Sequence, residues 1–272
     1  MKNRFIVLID FSEYSDNLIR YAYDWSIQAN AELFLVHRTT ILAPALTDIE
    51  AREQITRQTN VEGLLKLKAL ANDIIPSSVK VSYSVSERQL RFTLNSLLAE
   101  PFNNLIFTGI SGTGLLKKVF LGSTAIKVIN NTKNIVVAMP KEIAVYSHEK
   151  IFVAVTEQHP VNLLELSKFL NFIDRENTSI TFFYLAAPNE ITKTIEKELE
   201  RLTALFKDRF NTSFEIYEGS NPFEDIKKVI NNKIDEILIV QKGSRLLTDQ
   251  LFRKFLINEL VYDAQTPLIV LP

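Results

Sequence analysis

The chain repeats one order of strand-like and helix-like segments twice, and this repetition constrains its fold more than any other feature. Each half opens with a continuous apolar run, at 5–9 and again at 151–155, which is typical of a strand buried on both faces. Strand-like runs then alternate with segments of helical periodicity to the end of each half. Such alternation predicts right-handed crossovers and parallel sheets covered by helices on both faces, so the predicted fold class is α/β.

The duplication has a regular spacing. Aligned on their predicted strands, the halves keep a constant offset of 132 residues from the third strand to the end, so that Val85 falls on Tyr217 and Pro140 on Pro272. Any α/β protein shows alternating elements, but an unbroken offset and a shared final proline are harder to obtain by chance. We therefore predict two tandem doubly wound, Rossmann-like units. Their predicted bounds are 1–140 and 150–272, with a linker at 141–149.

Composition excludes several classes of function. The chain has 272 residues, no cysteine and a formal net charge of −1. A protein that neutralises many phosphates would be strongly basic, so no nucleic-acid partner is expected. No apolar run approaches the roughly 20 residues that cross a bilayer, and no secretory signal is visible, so we expect a cytoplasmic protein without a membrane partner. The three histidines lack metal-ligand spacing, so no metal site is expected.

Glycine is concentrated at one place. Four of the seven glycines lie between the fourth predicted strand and the following helix, namely Gly109, Gly112, Gly114 and Gly122. Ligands bind at this edge of a parallel sheet, where glycines permit positive φ and let backbone N–H groups approach an anion. Ser123 and Thr124 add two hydroxyls at the positive end of a helix dipole, which suits phosphate. The alternative is a flexible connection in which Ser123 only caps the helix.

Other nucleotide-binding motifs are absent. The glycine segment lacks the Gly-Lys-Ser/Thr ending of a P-loop. The first predicted strand leads into Asp10-Phe11-Ser12 without a glycine, which disfavours a dinucleotide fingerprint. Here Ser12 is predicted to cap the first helix, and Asp10 is either a turn residue or a group beside the site. No nucleophile–base pair is visible, so covalent catalysis is not expected.

These two segments resemble the universal stress protein family. The run Val7-Leu8-Ile9-Asp10-Phe11-Ser12 with Ala22 on the next helix is similar to the family's first strand and turn. The pattern Gly109-x2-Gly112-x9-Gly122-Ser123 resembles the family's ATP-binding motif at every defined position. The resemblance implies a five-stranded parallel sheet of order 3-2-1-4-5 in each unit. It also implies that the first unit binds ATP or AMP, with Mg²⁺ accompanying ATP.

The resemblance implies a set of nucleotide-binding residues. Asp10 would lie by the ribose or the phosphate-bound metal, and the glycine backbones would hold the phosphates. Arg38 departs from the family pattern, which has an apolar residue after the histidine at the end of strand two. An arginine there could stack on adenine or reach phosphate, and could equally close the base pocket. The expected cofactor-binding residues are Asp10, Phe11, Ser12, Arg38, Gly109, Gly112, Gly122, Ser123 and Thr124.

The second half is expected to keep the fold and lose the site. Thr156 falls where Asp10 stands, and bulkier residues replace the three motif glycines. These replacements are Gln241, Ser244 and Lys254. Side chains that restrict φ to negative values cannot easily form the same nest of N–H groups. We therefore predict one nucleotide site per chain and a structural second unit. The family resemblance further implies that the two units pair through their last strands, at Ile135–Ala138 and Leu268–Leu271.

Three functions remain open from the sequence. The first is a nucleotide-responsive regulatory protein of the stress response, acting on an unidentified protein partner, with at most slow ATP hydrolysis. The second is an interaction or scaffold module of the same fold that binds no nucleotide. The third is a true ATP-hydrolysing or phosphotransferring enzyme, for which no general base is evident. The sequence also leaves open further pairing of two chains into a homodimer.

Overall fold

The computed structural model describes residues 1–42, 44, 47–110, 123–140, 143–157, 159–186, 189–218, 236–243 and 266–272. Ten strands lie within these residues: β1 Lys2–Ile9, β2 Ala31–Arg38, β3 Val81–Ser86, β4 Phe102–Gly109, β5 Ile135–Met139, β6 Lys150–Ala154, β7 Ser179–Ala186, β8 Asn211–Glu218, β9 Glu236–Gln241 and β10 Leu268–Leu271. Six helices lie within the same residues: α1 Ser15–Gln28, α2 Ile49–Asn72, α3 Leu90–Leu98, α4 Ser123–Asn131, α5 Leu163–Leu170 and α6 Lys193–Phe206. Among these helices, none combines the length and the apolar character that a membrane span requires.

The strands form a single ten-stranded sheet. Their order is β3-β2-β1-β4-β5-β10-β9-β6-β7-β8, and only β5 and β10 pair antiparallel. Each half therefore has the order 3-2-1-4-5 in its own numbering, and the predicted α/β class with two doubly wound units is confirmed. Alternate residues of β1 enter two different apolar clusters, Phe5 and Val7 on one face and Ile6 and Leu8 on the other. This explains why the first strand reads as a continuous apolar run.

The two halves join through their last strands, as predicted. Val137 of β5 pairs with Ile269 of β10 at the centre of the antiparallel contact, and the flanking pairs are symmetric about it. The residues that directly follow β4 and β9 also form equivalent hydrogen bonds to the last strands. The N–H of Ile110 donates to the carbonyl of Met139, and the N–H of Lys242 donates to that of Leu271, each at 2.8 Å. These residue pairs lie 132 positions apart, so the duplication extends to individual hydrogen bonds.

The predicted constant offset is wrong at the third strand. The strand pairings can be followed residue by residue from β4 to β3 and from β9 to β8. They make Tyr83 of β3 correspond to Phe214 of β8, which is 131 positions further along. Val85 therefore matches Ile216 and not Tyr217. A slip of one residue would turn a strand's side chains to the opposite face. Val85 and Ile216 indeed pack on the same cluster, whereas Tyr217 packs on the other.

The predicted cap of the first helix is also wrong. α1 begins at Ser15 after Tyr14, whose side chain makes no capping hydrogen bond. The side chain of Ser12 is not the cap; its backbone carbonyl accepts the N–H of Ser15 at 3.0 Å. The reason lies one residue earlier, because Phe11 adopts a left-handed φ of 59° and turns the chain before the helix can start.

Trp25 on α1 connects the two halves through their shared core. Its indole Nε1 donates to the carbonyl of Phe172 in the second half at 2.9 Å, and its side chain is completely buried. Its ring stacks on Tyr146, which lies in the predicted linker, at 4.8 Å between centroids. The apolar cluster on this face contains residues of both halves without interruption. We infer that α1 contributes to the stability of both halves.

Trp25→Phe should lower the free energy of unfolding by about 1–3 kcal/mol, because the carbonyl of Phe172 then remains buried without a donor. Urea unfolding followed by circular dichroism measures this change. Tyr23→Phe, on the same helix, is the control and should change stability far less. Equal stabilities for the two variants would contradict a specific role for the indole hydrogen bond.

His148 lies beside this junction. Its Nε2 accepts a hydrogen bond from the Gln28 side chain of the first half at 3.1 Å, which requires a neutral ring. Asp174 Oδ2 is 3.9 Å from the same nitrogen and would favour the charged ring. Burial outweighs the attraction of Asp174 and Glu149, so the pKa of His148 is lowered from its ordinary value. The neutral form is thus the one that the fold stabilises.

The sign of the resulting pH dependence follows from linkage. A depressed pKa gives a contribution to stability that is present above the unfolded-state pKa of about 6.5 and is lost as pH falls through the folded-state value. The free energy of unfolding should therefore decline as the pH falls below about 6.5, and that of His148→Gln should decline less. Urea titrations at several pH values test this, with His159→Gln as the control. If wild type and His148→Gln lose the same stability as the pH falls, His148 is not the group responsible.

Candidate functional site

A cavity of about 980 Å³ lies between α3 and α4, over the ends of β1, β2 and β4. Helices α1 and α2 contribute to the cluster on one face of the sheet, and α3 and α4 contribute to the cluster on the other. The crossovers therefore change face where β1 neighbours β4. In open α/β sheets this reversal leaves a crevice at the carboxyl ends of the strands, which is the usual place for a ligand.

The described lining of the cavity carries more positive than negative charge. Its basic side chains are those of Arg38, Arg91 and Lys127, and its acidic side chain is that of Asp10. Amide groups add hydrogen-bonding capacity; they belong to Gln89, Asn95 and Asn131. Apolar residues including Leu8, Val36 and Leu94 form the base of the cavity. An apolar base with an excess of cations suits a ligand that has both an apolar and an anionic part.

Asp10 is held in a local turn at the end of β1. Its Oδ1 accepts the backbone N–H of Ser12 at 3.0 Å and lies 3.3 Å from the hydroxyl of Ser15. This is the turn geometry that the sequence analysis offered as one alternative for Asp10. The carboxylate is nevertheless exposed and lines the cavity, so both interpretations describe the same side chain.

Phe11 is held by contacts of its side chain with His37 and Lys66. Its ring packs on His37 at 4.2 Å between centroids, and the ammonium of Lys66 lies 4.3 Å from its centre. His37 Nδ1 is 2.8 Å from the carbonyl of Ile9, so that nitrogen must be the donor. A left-handed φ at a bulky residue costs on the order of 1 kcal/mol or more, and these contacts hold it in place. Phe11 thus fixes the direction of Asp10.

Gly109 ends β4 at the edge of the cavity. A Cβ added to it would meet no described atom within 4 Å. Its φ is not in the left-handed region, so the positive φ that glycine permits is not used at this position. The value of glycine here is space, because a side chain would project into a cavity that is otherwise open.

The structure brings together only part of the predicted site. Asp10, Arg38, Gly109 and Thr124 line the cavity. Phe11 and Ser12 are not among its described lining residues. Ser123 is the first residue of α4. Gly112 and Gly122 lie outside the described residues.

Sequence reasoning missed the contribution of α3. Arg91 and Asn95 line the cavity, as does Gln89 just before the helix. Arg91 and Asn95 are four residues apart and therefore share one face of α3. This spacing can be recognised in the sequence. On α4, Lys127 and Asn131 share the same spacing and continue from Thr124. What the sequence could not show is that the two polar faces point towards each other.

At the equivalent edge of the second half, the described polar side chains form hydrogen bonds within the protein. Gln241 corresponds to Gly109, and its Oε1 accepts the backbone N–H of Asn162 at 2.9 Å. Its Nε2 donates to the carbonyl of Pro272 at 2.6 Å. Thr156, which replaces Asp10, donates its hydroxyl to the carbonyl of His159 at 3.0 Å. Polar groups that a ligand would need are thus satisfied within the protein.

The fold is that of a doubly wound α/β protein with a cavity at the carboxyl edge of its first half. The universal stress protein family model matches residues 1–140, and the chain belongs to that family. A search of curated protein sequences gives no significant match.

Solved structures extend the similarity in fold over both halves. A universal stress protein from Archaeoglobus fulgidus DSM 4304 aligns with a TM-score of 0.68 at 15% identity, over 99% of this chain and 98% of that one. A functionally unknown protein from Pseudomonas aeruginosa PAO1 aligns with a TM-score of 0.58 at 16% identity, over 99% of this chain and 92% of that one. Identities this low show a common fold, which here includes the tandem arrangement.

Substitutions of two glycines should distinguish a position that borders open space from one that is closely packed. Gly109→Val should change the free energy of unfolding by less than about 1 kcal/mol, because its side chain enters open space. Gly63→Val on α2 should lower it by about 1–3 kcal/mol, since a Cβ there already lies 3.1 Å from side-chain atoms of Thr39 and Val85. Urea unfolding compares the two. A loss of stability in Gly109→Val as large as that in Gly63→Val would contradict an open cavity.

Proposed function

We propose that the first half binds ATP or AMP in the cavity between α3 and α4, and that the protein acts as a nucleotide-responsive regulator. One observation carries the proposal: the open space in front of Gly109 adjoins a lining with three basic side chains. A volume of about 980 Å³ is at the upper end of the range for small-molecule sites and is ample for a mononucleotide. Family membership supports the same ligand.

The phosphates would lie towards the first turn of α4. Thr124 offers a hydroxyl there, and the helix dipole and unpaired N–H groups favour an anion. Lys127, one turn further, is exposed on the same side of the cavity. Arg91 would approach from α3 on the opposite wall, and guanidinium groups form strong charge-assisted bonds with phosphate.

Asp10 suits the Mg²⁺ that accompanies ATP. One carboxylate oxygen is engaged by the turn, and the other has no partner among the described residues. Magnesium in nucleotide sites commonly takes one or two carboxylates and completes its shell with phosphate oxygens and water. A single carboxylate therefore fits metal that arrives with ATP, and it fits AMP without metal equally well.

Arg38 would contribute to binding rather than close the pocket. Its side chain is exposed at the edge of the cavity, and the full volume is present with the arginine in place. It can therefore reach a phosphate or lie over the base without a change of the backbone. This supports the first of the two roles that the sequence left open.

The second half would act as a structural partner with no nucleotide site of its own. Gln241 supports this, because its amide already takes the N–H and the carbonyl at the corresponding edge. We therefore propose one nucleotide per chain. Signalling would then pass from the occupied first half to an unidentified protein partner, with any hydrolysis being slow.

Isothermal titration with AMP, and with ATP in the presence and absence of Mg²⁺, tests the proposal. Arg91→Ala should weaken binding about tenfold, as expected for the loss of one charge-assisted hydrogen bond. Arg88→Ala is the matched control, because Arg88 is exposed three residues away and does not line the cavity. Gly109→Val should abolish binding while the protein stays folded.

Two results would overturn the proposal. The first is no binding of either nucleotide by the wild-type protein at millimolar concentration. The second is equal affinity for wild type and Gly109→Val, which would place any binding elsewhere. A stress phenotype that survives Gly109→Val, with binding lost, would favour the scaffold function.

A further inference from the structure

Helix α4 belongs to the cavity on one side and meets the second half at its end. Thr124, Lys127 and Asn131 line the cavity from successive turns of the helix. Thr132, which follows the helix, lines it as well. The position of this wall therefore depends on whatever holds the end of α4.

Lys242 of the second half binds that end. Its ammonium Nζ donates to the carbonyl of Asn130 and to the carbonyl of Thr132, each at 3.1 Å. The last four carbonyls of a helix have no partner within the helix, and a cation there also interacts favourably with the helix dipole. The contact joins residues more than one hundred positions apart and comes from the opposite half of the chain.

The corresponding position of the first half carries a different kind of side chain. Lys242 corresponds to Ile110, since both donate their N–H to the equivalent carbonyl of the last strand. Ile110 is an apolar residue that is 2% exposed in the core of the first half. The second half has thus exchanged a buried apolar side chain for a cation directed at its neighbour. The adjacent Gln241 has filled the second half's own edge.

We propose that Lys242 is a positioning residue, through which the second half fixes α4 and sets the nucleotide affinity of the first. This rests on the proposed function for the affinity, but the hold on α4 is a property of the protein without nucleotide. The second half would then regulate the site instead of duplicating it. By linkage, nucleotide binding should in turn strengthen the contact between Lys242 and α4.

Hydrogen exchange on the full-length, nucleotide-free protein tests the first part. In Lys242→Met the amides of 124–132 should exchange about threefold faster, while those of β5 and β10 keep their protection. Lys242→Arg should restore slow exchange, because a guanidinium can donate to the same carbonyls. Lys197→Met, an exposed lysine on α6, is the matched control. If β5 and β10 lose protection in Lys242→Met, the comparison is made with Lys242→Gln, which also removes the charge but keeps a polar side chain.

Titration with AMP and with Mg²⁺–ATP tests the second part. Lys242→Met should weaken binding about fivefold, and Lys242→Arg and Lys197→Met should bind like wild type. Unchanged exchange of α4 in Lys242→Met and Lys242→Gln would overturn the hold on the helix. Faster exchange with unchanged affinity would overturn the regulation of the site. A wild-type protein that binds neither nucleotide would overturn the proposed function, and the exchange data would still decide whether Lys242 holds α4.

Discussion

The antiparallel pairing of β5 with β10 is the contact on which the rest of the architecture depends. In a free half, each of these strands would be an apolar edge with a row of unpaired backbone groups, which favours aggregation. Their pairing buries both strands and makes one sheet of the two halves. Because the contact is antiparallel, the carboxyl edges of the halves face opposite ways. The end of β9 therefore lies near the end of α4, and Lys242 can reach it.

The order of elements was open to prediction because it follows from apolar patterning, and the last-strand contact followed from the family resemblance. The errors arose where backbone geometry decides. The offset failed at β3, since connections of different length precede it in the two halves. The register follows the face on which the strand's apolar side chains are buried. The cap of α1 failed because the left-handed Phe11 turns the chain early. That conformation depends on His37 and Lys66, which are distant in sequence.

The candidate site likewise contains residues that the sequence indicates and residues that only the structure brings in. Asp10, Gly109 and Thr124 were within reach of sequence reasoning because each follows a strand at the ligand edge of a parallel sheet. The spacing of Arg91 and Asn95 places them on one helix face, but the sequence does not show that this face lines the cavity, because that depends on how α3 lies against the sheet opposite α4. Gly109 borders the cavity, and its place in the predicted site stays a prediction. Its φ is ordinary, and the residue matters for the side chain that it lacks.

Duplication followed by divergence accounts for the asymmetry between the halves in physical terms. A ligand edge contains N–H and carbonyl groups that need partners, supplied either by a ligand with water or by the protein. In the second half Gln241 supplies them, so that edge needs no ligand to be satisfied. Under the proposed function the neighbouring position has no ligand to accommodate. At that position stands Lys242, whose charge satisfies two carbonyls of the first half. If the proposed function holds, two adjacent side chains account both for the missing site of the second half and for the support of the site in the first.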